Sequence, residues 1–177
     1  MFARIHAMAL AGIEARLCEV EVDVTGRGFS GPTIVGLPDS AVKESIDRIR
    51  SALANSGYAL PKCRTTINLA PADIKKEGPA FDLPIALGIL CGDDQLRSDS
   101  VEQYLMAGEL ALDGRVRAIK GALSLALLAR DRDYRGVLVP RENAEEAAVV
   151  DGVEVYGIDS LAQAVGFLAG ELPLDAA

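Results

Sequence analysis

The chain has 177 residues, of which 50% are hydrophobic and 25% charged, and its formal net charge is −8. This length predicts one domain with a buried core, and the apolar content excludes intrinsic disorder. The acidic balance excludes a protein that coats nucleic acid or anionic membranes through its overall charge. It does not exclude binding through local basic patches. Because we find no membrane-spanning run and no signal peptide, we expect a cytoplasmic protein without a membrane partner.

The first half of the chain alternates like a set of strands and contains one amphipathic helix. From Glu19 onward, apolar and polar residues alternate strictly, which predicts a strand with one buried face. Residues 25–32 hold three glycines and predict a loop. The predicted strands cover 2–10, 13–24, 33–36 and 64–69. A helix is predicted from its apolar stripe over 42–53. Asp39 or Ser40 is its expected N-cap, and Asn55-Ser56-Gly57 is expected to end it.

The second half predicts a mixture of helices and strands. The predicted helices cover 83–91 with Asp82 as N-cap, 123–130, 141–150 and 160–169, and the predicted strands cover 137–139 and 153–156. Asp113-Gly114 predicts the turn of a hairpin made of residues 105–112 and 115–119. This order favours the α+β class, with a mixed sheet packed against helices. We expect one domain over 1–170, followed by the beginning of a linker at 171–177.

Most sequence signatures of catalysis and metal binding are absent. There is no G-x-x-x-x-G-K-[ST] phosphate loop, no G-x-G-x-x-G and no G-x-S-x-G elbow. The three cysteines, Cys18, Cys63 and Cys91, form no CxxC pair, so we expect free thiols in a reducing compartment. The single histidine, His6, is interpreted as structural, with a ligand or base as the alternative. We therefore expect no metal, cofactor or small-molecule site in this chain.

One loop resembles the nucleophile loop of Lon-type serine proteases. Lys76-Glu77-Gly78-Pro79-Ala80 leads into an apolar helix through Asp82, and Gly108 to Gly121 resembles the Lon stretch before the catalytic lysine. The resemblance implies that the two dyad positions are Ala80 and Leu123, which supply neither a nucleophile nor an amine. The dyad is therefore interpreted as lost. The alternative is a diverged peptidase that uses Ser124, Lys120 or Asp82.

The whole chain resembles the N-terminal domain of the YifB/ComM proteins, the magnesium-chelatase-like AAA+ ATPases. The motifs are Phe2-Ala3-Arg4-Ile5, residues 36–45 with Arg48-Ile49-Arg50, residues 68–73, residues 76–84 and Gly108-Glu109-Leu110. The resemblance implies a ribosomal protein S5 domain 2-like fold, as in Lon. It also implies a following AAA+ module that would bind ATP and magnesium, a hexameric ring, and a DNA helicase active in branch migration during transformation or recombination. A magnesium chelatase subunit-like protein is the alternative.

For this chain we expect a non-catalytic accessory role in ring assembly, with DNA contact left open. The candidate contacts are Arg48, Arg50, Lys75, Lys76, Arg115, Arg117 and Lys120. For each of them, the alternative is a solvated surface charge.

Overall fold

The computed structural model describes residues 1–26, 28 and 31–177. The loop predicted over 25–32 includes residues 27, 29 and 30, which lie outside the described residues. The described strands are β1 (Phe2–Ala11), β2 (Glu14–Thr25), β3 (Thr33–Val35), β4 (Arg64–Ala70), β5 (Tyr104–Met106), β6 (Glu109–Leu110), β7 (Val116–Arg117), β8 (Gly136–Pro140) and β9 (Glu154–Ile158). The described helices are α1 (Ser40–Lys43), α2 (Ser45–Asn55), α3 (Asp82–Gly92), α4 (Ala122–Asp131), α5 (Ala144–Ala147) and α6 (Leu161–Leu168). Short 3-10 helices cover Pro79–Phe81, Val101–Gln103 and Arg141–Asn143.

In this part of the chain a mixed sheet of seven strands runs in the order β3-β4-β2-β1-β5-β8-β9. The pairs β1–β2 and β2–β4 are antiparallel, whereas β3–β4, β1–β5, β5–β8 and β8–β9 are parallel. Strands β6 and β7 form a separate antiparallel pair. The predicted mixed sheet with helices is confirmed.

Strict alternation in β2 correctly predicts its buried face. Val20, Val22 and Val24 are buried, while the intervening acidic residues are half-buried or exposed on the other face. Strand β1 pairs with β2 along its whole length, from Phe2 opposite Asp23 to Ala11 opposite Glu14. The two predicted N-terminal strands and their turn are therefore confirmed.

Two hydrophobic cores lie on opposite faces of the sheet. Ile5 and Ala7 of β1 pack in the larger core, together with side chains of α2, α3 and α6. Met8 of the same strand packs in the smaller core with α4 and α5. Side chains of β5, β8 and β9 contribute to both cores, because successive residues of a strand point to opposite faces.

Several predicted elements are shorter or divided in the structure. The strand predicted over 105–112 is wrong as one element: β5 joins the large sheet and β6 pairs with β7. Between them, the Ala107 and Gly108 N–H groups donate to the carbonyl oxygens of Leu138 (3.1 Å) and Ala80 (3.0 Å), which leads the chain out of the sheet. The helix predicted over 42–53 is divided at Glu44 into α1 and α2.

The helix predicted over 141–150 is a 3-10 turn followed by the four residues of α5. Residues 171–177 do not form a helix or strand, but the Ala177 N–H donates to the Val155 carbonyl of β9 (2.8 Å). Among the described residues, no helix combines the length and apolar character needed to cross a membrane.

Candidate functional site

The family-motif segments meet around the fully buried carboxylate of Asp82, at the first residue of α3. Its Oδ2 accepts hydrogen bonds from Arg48 Nε (2.7 Å) and the Leu110 backbone N–H (3.0 Å). Its Oδ1 accepts from Ser45 Oγ (2.5 Å) and Arg48 Nη2 (3.0 Å). Asp82 thus joins α2, α3 and β6 through four hydrogen bonds.

The prediction that Asp82 caps α3 is wrong. The N-cap is Phe81, whose side chain accepts no hydrogen bond from the first turn. The carboxylate binds Arg48 instead, a residue that lies far earlier in the chain. This contact holds the pKa of the Arg48 guanidinium above its ordinary value, mainly because Asp82 accepts its hydrogen bonds.

Asp39 forms the second connection between motifs. Its Oδ1 accepts from the Val42 N–H (2.8 Å), which caps α1 as predicted, and its Oδ2 accepts from the Gly78 N–H (3.1 Å). The backbones also pair, since the Asp39 N–H donates to the Lys76 carbonyl (2.9 Å). Gly78 has φ +82°, a conformation in which glycine is the least strained residue. The loop before α3 is therefore fixed by one carboxylate and one glycine.

Lys76 is fully buried in this loop. Its Nζ donates to the Pro71 carbonyl oxygen, and Asp73 and Cys18 are the acidic groups that interact with its charge. Burial lowers the pKa of Lys76, while Cys18 and Asp73 partly oppose that shift. Burial also raises the pKa of the Cys18 thiol. A buried ammonium of this kind positions the loop and presents no charge to a partner.

Ala80 and Leu123, the two positions that the resemblance to Lon aligns with a dyad, carry neither a nucleophile nor an amine, and the backbone of each is held by contacts with other segments. Ala80 accepts from Gly108 N–H (3.0 Å) through its carbonyl, and Leu123 N–H donates to Glu146 Oε2 (3.2 Å). Ser124, the alternative nucleophile, donates its hydroxyl to the Ile13 carbonyl (2.9 Å). The structure thus engages Ser124 with a backbone oxygen, and Asp82 with Arg48 and Ser45.

The candidate basic contacts divide into buried and exposed residues. Lys76 is buried and the Arg48 side chain, 20% exposed, is bound to Asp82, so we withdraw both as contacts. The other five candidates are exposed. Three of them form ion pairs: Arg50 with Asp47 (3.3 Å), Lys75 with Glu77 (3.5 Å) and Arg115 with Asp113 (2.9 Å). Among the described residues, Arg117 and Lys120 have no ion-pair partner.

The exposed cations lie in two places. Asn55 at the end of α2 donates to the Leu112 carbonyl (2.8 Å), which puts the β6–β7 hairpin with Arg115 and Arg117 beside the helix that carries Arg50. Lys75 and Arg16 line a cleft at the β1–β2 turn. Leu10 also lines this cleft and lies against Gly121, so Lys120, the residue before Gly121, is close to the same cleft.

Three contributors to these sites were missed by sequence reasoning. Arg16 looked like an ordinary exposed strand position, and Ser45 like a polar residue of a helix. Asn143 accepts from the Ile119 N–H (2.9 Å) and donates to the Ile119 carbonyl (2.9 Å), which ties the segment before α4 to that before α5. Ser45 lies within the motif of residues 36–45, but no local pattern assigns a contact to any of the three, because each role depends on a partner far away in sequence.

The described residues include no group of three or more His, Cys, Asp or Glu side chains that could hold a metal ion. Cys18, Cys63 and Cys91 are free thiols, as the sequence predicts.

Comparison with known proteins identifies the family. Residues 20–143 match the family model described as subunit ChlI of Mg-chelatase. Competence protein ComM of Haemophilus influenzae is 42% identical over 97% of this chain and 34% of its own length, and YifB of Escherichia coli is 41% identical over 97% and 33%. Lon protease 2 of Bacillus subtilis is 25% identical over 87% of this chain and 30% of its own length. The chain spans about a third of the length of these relatives. It belongs to the ChlI family of Mg-chelatase-like proteins, together with ComM and YifB.

Proposed function

We propose that this chain is the non-catalytic N-terminal domain of a longer AAA+ ATPase, and that it supports a hexameric ring that acts on DNA in the cytoplasm. The observation that carries the proposal is that Ala80 and Leu123, at the two positions aligned with the Lon dyad, supply neither the serine nor the lysine of a Ser-Lys dyad. The similarity to Lon proteases further supports a ribosomal protein S5 domain 2-like fold. In this proposal, ATP and magnesium are bound by the AAA+ module.

The accessory role is supported by how the motif residues are used. Asp39, Arg48, Lys76 and Asp82 all bind other parts of the same chain, so their contacts organise the fold. The alternative of a diverged Lon-type peptidase requires a nucleophile with an adjacent activating base. Ser124, with its hydroxyl donated to a carbonyl, has no such arrangement.

A fluorophosphonate probe distinguishes the two roles. We expect the folded chain to remain unlabelled at concentrations that label a Lon-type protease fully. The matched control is S124A, which removes the alternative nucleophile. Labelling of the wild-type chain that disappears in S124A contradicts the non-catalytic role and establishes the peptidase alternative.

The DNA part of the proposal rests on the name of the competence relative and on the exposed cations around the β6–β7 hairpin and the β1–β2 turn. The net charge of −8 confines any contact to such local groups. We expect binding of a labelled DNA duplex at about 50 mM salt that weakens steeply with added salt, because phosphate contacts release counterions.

The variants R117A and K120A test these contacts by fluorescence anisotropy. Each is expected to weaken binding and to reduce the slope of log affinity against log salt by about 1. R97A is the matched control, because Arg97 is exposed but paired with Asp94 (2.8 Å). An absence of binding at about 50 mM salt, or a salt-independent affinity, contradicts DNA contact by this chain.

A further inference from the structure

A cavity of about 400 Å³ lies at the end of the large sheet where β5 and β8 begin, beside the end of α6. Its lining includes Tyr104 at the start of β5, Arg135 just before β8, Phe167 of α6, and Leu172 and Pro173 of the segment after α6. The cavity opens to solvent, and its volume is within the range of small-molecule sites. No local pattern predicts it, because its walls come from segments that are far apart in sequence.

The apolar part of the cavity is built on an aromatic cluster. Tyr104, Tyr156 and Phe167 contact one another, with ring centroids 4.6 to 5.9 Å apart. The two tyrosines are buried, whereas Phe167 is half-buried and reaches the cavity. The Leu172 N–H donates to the Gly166 carbonyl oxygen (3.0 Å), which holds the segment after α6 against that helix. The apolar wall is therefore fixed by contacts within the chain.

The Tyr104 hydroxyl is the polar group that this packing leaves unused. Tyr104 is only 2% exposed, yet its oxygen forms no hydrogen bond with any described residue. The Tyr156 hydroxyl, in the same cluster, donates to Glu154 Oε1 (3.0 Å). The Tyr104 oxygen is not among the fully buried polar atoms that lack a partner, so it is open to the cavity that Tyr104 lines. Burial raises the pKa of Tyr104, which keeps this hydroxyl protonated and able to donate.

Arg135 supplies charged donors to the same cavity. Its Nε donates to Glu154 Oε2 (2.8 Å), while its Nη groups form no hydrogen bond or ion pair with the described residues. Its Cζ atom lies 5.8 Å from the Tyr104 ring centroid, so one acceptor group can contact both side chains. Among the described residues that line the cavity, Arg135 is the only charged one. The cavity thus joins unused hydrogen-bond donors to an apolar wall.

We propose that this cavity binds a small aromatic carboxylate. The ring of the ligand lies against Phe167, Leu172 and Pro173, and its carboxylate accepts hydrogen bonds from the Tyr104 hydroxyl and the Arg135 Nη groups. A carboxylate suits these donors because the planar guanidinium matches its two oxygens and carries the opposite charge. Binding requires neither a ring of subunits nor DNA, so this inference is independent of the proposed function.

Phenylacetate is the probe that tests the site, and phenylacetamide is the control ligand with the same ring and no charge. Each is titrated into the folded chain while the backbone amide signals are followed by two-dimensional NMR. We expect phenylacetate to shift the amide signals of residues 100–104, 135 and 167–172 with a Kd of about 5 mM, as is usual for about ten non-hydrogen atoms. Phenylacetamide should bind at least about fivefold more weakly, because it lacks the charge-assisted hydrogen bonds.

Two variants identify the donors. Y104F and R135Q each keep the apolar wall and remove one set of donors, and each should weaken phenylacetate binding about tenfold. Y156F is the matched control, because the Tyr156 hydroxyl donates to Glu154, and it should bind as the wild type does. Since the Arg135 side chain is 53% exposed, R135Q keeps the fold and decides the outcome even if Y104F is unstable.

Three results would overturn the proposal. The first is an absence of amide shifts at about 50 mM phenylacetate, or shifts confined to residues away from the cavity. The second is equal affinity of the wild type, Y104F and R135Q for phenylacetate. The third is equal affinity for phenylacetate and phenylacetamide, which contradicts the assignment of a carboxylate.

Discussion

The Arg48–Asp82 pair is a buried ion pair that brings α2, α3 and β6 together. Removing one partner leaves the other charge buried without compensation, which costs about 3–5 kcal/mol. We therefore expect R48A to lower the free energy of unfolding by that amount in urea denaturation. R50A is the matched control: Arg50 lies on the same helix, is 55% exposed and pairs with exposed Asp47, so its loss should stay within about 0.5 kcal/mol. Equal losses in the two variants contradict the role of Asp82.

The buried ammonium of Lys76 predicts a pH effect of defined sign. Its pKa is lowered from 10.5 by burial, so the unfolded chain holds this proton more tightly than the folded chain does. Stability from this group therefore rises as the pH passes from the lowered value towards 10.5. The free energy of unfolding of wild type minus that of K76M should increase as the pH rises towards 10.5. K75M, altered at an exposed neighbour, should show no such trend, and a falling difference for K76M contradicts the assignment.

Cys91 is a residue whose reactivity is set by burial. Burial raises the pKa of its thiol from 9.0 to about 11. At a pH below both values its thiolate fraction is about 100-fold lower than that of an ordinary cysteine. In a C18S/C63S variant, we expect Cys91 to react with a disulfide reagent about 100-fold more slowly than in the denatured chain. A similar rate in the folded and denatured chains contradicts this prediction.

At the scale of elements, the turn after β3 depends on Gly36. It has φ +103°, and a Cβ atom there would lie 2.0 Å from the Leu69 carbonyl oxygen of β4. G36A must therefore move the β3–β4 pairing, and we expect a loss of about 3 kcal/mol or more in thermal unfolding. G57A is the control, because Gly57 has φ +86° but an added Cβ atom would meet no heavy atom of the described residues within 4 Å, which predicts a loss of about 1 kcal/mol. Comparable losses would show that backbone conformation alone matters at Gly36.

Local patterns predict the elements whose structure has local causes. The alternation in β2 and the apolar stripe of α2 follow from burial against one neighbouring layer, and Asp39 caps α1 through a residue three positions away. The division of 105–112 and the role of Asp82 could not be predicted, because both depend on partners from other segments. Gly108 is held by Ala80 and Asp82 by Arg48.

The candidate site was predictable as a set of motifs but not as a set of contacts. A charge pattern cannot distinguish an exposed lysine from a buried one, so Lys75 and Lys76 look equivalent in the sequence. In the structure, Lys75 is exposed and Lys76 is completely buried. The difference follows from the pairing of the Lys76 backbone with Leu37 and Asp39, which turns its side chain inward.

At the scale of the whole molecule, the two cores share one sheet. Residues of β1, β5, β8 and β9 contribute to both, so neither core can form without the strands of the other. We expect one cooperative unfolding transition in urea, with the same midpoint from circular dichroism and from tyrosine fluorescence. The chain has no tryptophan. Of its four tyrosines, Tyr104 and Tyr156 lie in the larger core, Tyr58 packs against that core and Tyr134 packs against the smaller one, so tyrosine emission reports mainly the larger core. Separate midpoints contradict this coupling.

The backbone contacts of Ala80 and Leu123 also make these two positions suitable for side-chain replacement. Gly108 bonds the Ala80 carbonyl and Glu146 bonds the Leu123 N–H, and neither contact uses the side chain at the dyad position. A residue exchange at these two places therefore alters chemistry while the same backbone contacts persist. Ala80 and Leu123 are therefore positions at which side chains can be exchanged one at a time on an unchanged backbone.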